Sequence, residues 1–278
     1  MCATSFEKSW ETAMERRERR RSEHKRMKRK QRFFTVAFVV VLVAVVLFLR
    51  THGKMTEDPP VVDKLTAEEQ EMLAEIETSG DYPADLVETA QKFPETVRFV
   101  YHYIHEDTIV PRPEEGGRVP HYLQWDTRWG YKPYCESFFA SAGCGPTAMA
   151  MAIHGAREDA TVTPYDIAER AETLGYAIPD VGTDVALFPH VAPEYGVSCD
   201  LIAHDKTLWR RILNRGGTII LNVGPGDFTN YGHFIVLAEY TDGKFLVRDP
   251  NSISRSKLWS YETLERQTKY AWSINPDS

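Results

Sequence analysis

The chain has 278 residues, 42% of them hydrophobic, and its 33 Lys plus Arg against 40 Asp plus Glu give a formal net charge of -7. Residues 1–32 hold 12 basic and 5 acidic side chains, a local +7, which leaves -14 for residues 33–278. Length alone would allow a soluble two-domain protein, but that charge split argues against one; four cysteines in a chain long enough for a sizeable core exclude a disulfide-stapled scaffold.

In chain order, a basic segment (1–32) ends in a cluster of cations from Arg16 to Arg32. Phe33 to Leu49, FFTVAFVVVLVAVVLFL, follows with Thr35 as its one polar residue. A run of this length reaches the lower end of the ~17 to 25 residues that cross a bilayer, and it predicts a single transmembrane helix over 33–49. Cations flank it mainly on the N-terminal side, so the N-terminus is expected in the cytoplasm and the acidic remainder outside. A cleaved secretory signal is the rival reading. Phe48-Leu49-Arg50-Thr51-His52 offers no small-residue cleavage site, which favours an uncleaved anchor in the cell membrane. Beside a span, the basic run is explained by topology and anionic membrane lipid, and no nucleic-acid partner is expected.

Residues 50–118 read as a linker and a short helical lead-in. Thr66 and Glu69 make a capping-box pattern before Met72, Leu73 and Ile76. Further helices are expected over 84–92 and 95–104, and Glu114-Glu115-Gly116-Gly117 marks a boundary. His102 and His105 stand three apart without a third ligand, so packing is expected and no metal or cofactor.

From about Val119 the pattern is mixed. Helices are expected over 144–154, 164–174, 184–195 and 206–214, and strands over 197–201, 218–223, 233–240, 244–248 and 271–274. Helices early and adjacent strands late favour an α+β domain with an antiparallel sheet. Trp125, Trp129, Tyr131 and Tyr134 cluster before the first of these helices, as core or as a cleft lining. Gly224-Pro225-Gly226-Asp227 lacks the lysine of a phosphate loop and reads as a rim loop.

Gly143-Cys144-Gly145-Pro146-Thr147 puts a cysteine where a glycine-rich turn becomes an alanine-rich helix, a place that favours a thiolate. His233 opens one strand and Asp249 closes the next. A sulfur nucleophile needs a base, and the base works best when a third group fixes its tautomer. If Tyr240 pairs with Lys244 across a three-residue loop Thr241-Asp242-Gly243, Asp249 faces Ile235 and shares a face with His233, within side-chain reach. A two-residue loop with a regular ladder would put them on opposite faces.

These residues resemble a known family. G-C-G-P-T before a helix, then N-V-G-P-G-D-F-T-N-Y-G-H-F-I-V-L, then D-P-N-S, with Gln124-Trp125-Asp126-Thr127-Arg128-Trp129-Gly130 upstream, are similar to the papain-like cysteine peptidases of the bacteriocin-processing type, cysteine-peptidase family 39. The resemblance spans about residues 119–278. It implies a papain-like fold, a helical half plus an antiparallel sheet, with Cys144 as nucleophile, His233 as base then acid, and Asp249 orienting His233. It also offers Gln124 as an oxyanion donor, although Gln124 precedes Cys144 by more than the spacing in papain and a structural role stays open.

Peptides or cell-wall peptides are the expected substrate. The bacteriocin-processing enzymes usually join this domain to a multi-span transporter facing the cytoplasm. This sequence carries one expected span and no G-K-[ST] loop, so an extracytoplasmic cysteine peptidase or amide hydrolase is expected. Acyl transfer or deamidation by the same groups, a catalytically silent wall- or peptide-binding module and a structural adaptor are the alternatives. Whether Cys135 and Cys199 pair is open, since that disulfide alone leaves Cys144 free.

Overall fold

The structure, a computed structural model, describes residues 64–113, 116–158 and 160–277, so the expected basic segment and transmembrane helix lie outside the described residues. Among the described residues no helix is long and apolar enough to cross a membrane.

The lead-in forms helices α1 (Ala67–Thr78), α2 (Ala84–Lys92) and α3 (Val97–His102). The expected capping box closes α1: Glu69 N–H donates to Thr66 Oγ1 at 3.2 Å and Thr66 N–H to Glu69 Oε2 at 2.9 Å. The helix expected over 95–104 is shorter, because Pro94 opens a 3-10 turn and the α-helix begins only at Val97. Ile76, Leu86, Phe99 and Val100 from these helices share one core with Leu123, Trp125 and Ala140.

Helices α4 (Phe139–Ala142), α5 (Cys144–Ala156), α6 (Pro164–Leu174) and α7 (Leu187–Val191) follow. A short hairpin, β1 (Pro133–Tyr134) with β2 (Ser137–Phe138), precedes them, and another, β3 (Ala177–Ile178) with β4 (Gly182–Thr183), separates α6 from α7. The proline-broken helix expected over 184–195 forms as α7 and a 3-10 turn, Ala192–Tyr195, with Pro193 near its start. Thr163 caps α6 in a capping box with Asp166, and Gly175 ends it in the left-handed conformation.

Strands β5 (Val197–Leu201), β6 (Thr218–Val223), β7 (His233–Thr241), β8 (Lys244–Arg248), β9 (Leu258–Trp259) and β10 (Thr268–Pro276) form one sheet in the order β5-β10-β6-β7-β8-β9. Every pairing is antiparallel, as the α+β reading expects. Helix α8 (Lys206–Asn214) lies between β5 and β6, and α9 (Tyr261–Gln267) between β9 and β10.

Both faces of β7 are covered. Phe234, Val236 and Ala238 join the core built on Ala148, Met149 and Ala152 of α5, whereas Ile235 and Leu237 join Trp209 and Leu213 of α8 and Leu264 of α9. That two-sided burial explains why the strand reads as an unbroken apolar run. Helix α5 sits close to β6: a Cβ on Gly155 would come within 2.5 Å of Thr218, whose hydroxyl donates to the Ala152 carbonyl at 3.0 Å.

The β7–β8 connection corrects the expected register. Thr241, not Tyr240, pairs with Lys244, so the loop is the two-residue Asp242-Gly243, with φ of 51° and 79° as a primed hairpin turn requires. A regular ladder from this turn would set Asp249 level with Val236, facing away from His233. A bulge intervenes. Glu239 pairs with Leu246 but Leu237 pairs with Val247, so Ala238 is skipped and Val236 meets Arg248. Asp249, the next residue, comes level with Ile235, which restores the parity expected from a longer loop.

Arg118 holds the bulge. Its guanidinium donates to the carbonyls of Ala238 (2.9 Å), Gly216 (2.7 Å), Gly217 (3.1 Å) and Gly155, tying α5, the β6 entrance and β7 together. Arg118→Leu leaves these carbonyls without their donor, and unmet buried polar groups cost about 1–3 kcal/mol each. Equilibrium urea unfolding is expected to give a loss of roughly 2–4 kcal/mol after partial rehydration; a loss under about 0.5 kcal/mol, ordinary for a surface substitution, would contradict this role.

Candidate active site

Cys144 opens α5, capped by Gly143, with Pro146 in the first turn where a missing N–H costs nothing. The β3–β4 hairpin presses on this turn. A Cβ on Gly145 would stand 2.6 Å from Thr183 side-chain atoms, so glycine is required for the approach. Cys144 remains partly exposed at this junction.

His233, 7% exposed, begins β7, and Asp249, fully buried, follows β8. His233 Nε2 lies 2.6 Å from Asp249 Oδ1, which also accepts the Asn251 N–H at 2.8 Å. Burial pushes the His233 imidazolium down, but the Asp249 charge and hydrogen bond, joined by a hydrogen bond with Cys144, outweigh it and raise the group to about 10. With Nε2 engaged by Asp249, Nδ1 is the ring nitrogen left for the thiol. The structure thus brings Cys144, His233 and Asp249 together.

Gln124 is buried beside them. Its N–H donates to the Pro250 carbonyl at 2.7 Å, and its amide Nε2 donates to the Ala140 carbonyl at 2.5 Å, four residues before Cys144. Reversing the amide would oppose two oxygens, so one of its two N–H bonds is committed to holding the approach to α5.

Two residues behind Asp249, His121 and Ser256, carry no signal in the sequence. His121 Nε2 lies 2.9 Å from both the Asp249 carbonyl and Ser256 Oγ, and Ser256 Oγ accepts the Asp249 N–H at 2.8 Å. Burial pushes His121 down to about 4, so it sits neutral and can hold its proton on Nε2 between those oxygens. No spacing in the sequence links residue 121 to residues 249–256; only the fold does.

Cys135 and Cys199 are unpaired, which resolves the open disulfide, and burial pushes their thiols up to about 11 and about 12. Of the aromatic cluster, Trp125, Trp129 and Tyr134 are buried core, and Tyr131 stacks on Phe99 with ring centres 4.3 Å apart. His102 Nδ1 lies 3.0 Å from the Tyr131 hydroxyl, and His105 Nε2 2.6 Å from Glu75. The loop before His233 is pinned by Gln267, which accepts from the Asp227 N–H and donates to the Asp227 carboxylate, both at 2.6 Å.

Residues 117–275 match the model of the Peptidase_C39 like family. Similar solved structures include the peptidase domain of Streptococcus ComA, a bi-functional ABC transporter of a quorum-sensing pathway (18% identity, TM-score 0.40, 49% of this chain and 93% of that one). Others are a protein from Bacillus anthracis described as a C39-like peptidase (17%, 0.42, 58% and 96%) and a double glycine motif protease from an AMS/PCAT transporter in complex with its leader peptide (16%, 0.32, 48% and 84%). No curated protein matches the chain.

The two buried histidines predict opposite pH limbs of stability. The native state keeps the His233 proton up to about 10 against 6.5 for an unperturbed histidine, so the stability it contributes is complete below 6.5 and is lost as pH rises towards 10. His121 binds its proton only near 4 in the native state, so it costs stability as pH falls from 6.5 to 4. Urea midpoints measured from pH 4 to 10 are expected to peak near 6.5, and His233→Ala should flatten the alkaline limb. An alkaline limb unchanged by that substitution would contradict the assignment.

Proposed function

Because the chain belongs to the peptidase C39-like family, and is therefore a cysteine peptidase-like hydrolase, we propose that it is a membrane-anchored, extracytoplasmic peptidase working through Cys144, His233 and Asp249. One observation carries the residue assignment: His233 is bonded on one side to a fully buried carboxylate and on the other to a partly exposed cysteine at a helix start.

Cys144 Sγ, its proton passed to His233, attacks a peptide carbonyl and forms a tetrahedral intermediate. His233 gives that proton to the leaving amine as the C–N bond breaks, leaving a thioester on Cys144. Water then attacks the thioester, losing its proton to His233, and the carboxylic acid leaves as the thiol is restored. Asp249 holds the ring orientation and balances the imidazolium charge. The first-turn N–H of Cys144 and the uncommitted N–H of Gln124 are the donors for the developing oxyanion; one such donor is typically worth ~2.7–4 kcal/mol. Val181, on the hairpin beside Cys144, and Tyr231, two residues before His233, are exposed apolar side chains suited to the rim of a peptide cleft.

The anchor rests on the Phe33–Leu49 run and the cations before it. Peptide substrate is the family's chemistry, and an acidic outer region sets no obstacle to it.

Iodoacetamide at neutral pH is expected to modify Cys144 of the full-length chain selectively among the three described cysteines, with Cys135 and Cys199 untouched because burial keeps them as thiols. His233→Ala should slow labelling of Cys144 and lower peptide hydrolysis by about 10²–10⁴. Labelling of Cys144 no faster than a model thiol, or indifferent to His233, would overturn the reading. For topology, protease added to intact cells should degrade the region after residue 50 and spare residues 1–32; protection of the C-terminal region would reverse the orientation.

A further inference from the structure

The lead-in helices lie before the matched family segment, which starts at residue 117, yet they grip the loop that follows Asp249. Glu95, in the 3-10 turn between α2 and α3, carries the grip. Its Oε1 accepts the hydroxyls of Ser252 and Ser254, each at 2.5 Å, and the Ser254 N–H at 3.1 Å, while its Oε2 accepts the Ile253 N–H at 2.6 Å. One carboxylate thus takes four donors from three consecutive residues. Hydrogen bonds to an ionised acceptor are short and roughly twice as strong as neutral ones.

The contact continues to the site. Ser256 Oγ donates to the Ser252 carbonyl at 2.8 Å and accepts the Asp249 N–H at 2.8 Å, so the loop that Glu95 fixes also fixes the backbone of Asp249. Packing supports the same segment: Ile253 lies against the lead-in core, which also contains Leu123 and Trp125 on either side of Gln124, and Ala140, whose carbonyl holds the Gln124 amide. Along α2, Thr89 and Ser141 hydroxyls meet at 2.7 Å, and Ser137 Oγ donates to Asp85 Oδ2 at 2.7 Å, both in the segment that leads to Cys144.

We propose that Glu95 is a positioning residue for the peptidase reaction, which fixes the 252–256 loop and through it the Asp249 carboxylate against His233, making the lead-in a working part of the peptidase. This role rests on the assignment of Cys144, His233 and Asp249 given above. A brace with no part in the reaction would alter only stability. A positioning residue also alters how firmly Asp249 holds the His233 proton.

The test is the pH dependence of Cys144 alkylation by iodoacetate in the full-length chain, because a negatively charged reagent responds to the His233 imidazolium. In Glu95→Gln the alkaline limb should move down by about one pH unit and kcat for peptide hydrolysis should fall about tenfold, with KM within about twofold. Glu95→Asp, which keeps the charge, should recover part of both. If Glu95→Gln does not fold, Ser254→Ala, which removes one hydroxyl donor and leaves its N–H, should shift the limb in the same direction by less. A lower melting temperature with the limb and kcat unchanged would overturn the inference alone. A wild-type profile indifferent to His233→Ala would instead overturn the catalytic assignment and this role with it.

Discussion

A one-residue slip between paired strands turns every side chain to the other face, and the bulge at Ala238 sets which face the carboxylate after β8 occupies. Asp242-Gly243 imposes a two-residue turn, whose regular continuation would point Asp249 away from His233. Skipping Ala238 absorbs one residue and aligns the two. The carbonyl of the skipped residue then receives a guanidinium hydrogen bond from Arg118, which also binds the chain at Gly155 and at Gly216 and Gly217. The turn, the bulge and its clamp are therefore one device for placing a carboxylate, set between β6 and β9 in the sheet.

Burial then gives the placement chemical effect. An imidazole sealed from water would lose its proton readily, but the adjacent buried carboxylate and the cysteine reverse that tendency. Neutral His121 and the Ser256 hydroxyl hold the other side of Asp249 through its backbone, and Glu95 holds Ser256 through Ser252. The buried pair is supported by successive uncharged and charged contacts reaching back to the lead-in helices. The other two described thiols lie where burial keeps them protonated, so the chain separates one reactive environment from two inert ones.

Much of this was legible because local chemistry has local signatures. The Thr66–Glu69 box, the alanine-rich helix after Gly145-Pro146 and the apolar strand from Phe234 each announce their structure within a few residues, and all form as expected. The order of Gln124, Cys144, His233 and Asp249 carried the resemblance. What stayed hidden depends on distant partners. The loop length after β7 is hidden because the bulge that corrects the register has no turn residue to mark it; Ala238 is an ordinary apolar residue of a buried strand. The two-residue strands β1 to β4 are too short to show a period. His121, Ser256 and Glu95 act across 128, 7 and 157 residues of sequence, towards Asp249 or Ser252, and no spacing rule joins them.

In the proposed reaction Cys144 carries an acyl group during peptide hydrolysis. The direct measurement is acid-quenched turnover of a peptide library followed by peptide mapping of the full-length chain. A hydroxylamine-sensitive adduct is expected on Cys144, with a mass equal to the N-terminal part of a cleaved peptide and absent in Cys144→Ala. Steady hydrolysis by Cys144→Ala, or an adduct formed on another residue, would contradict it.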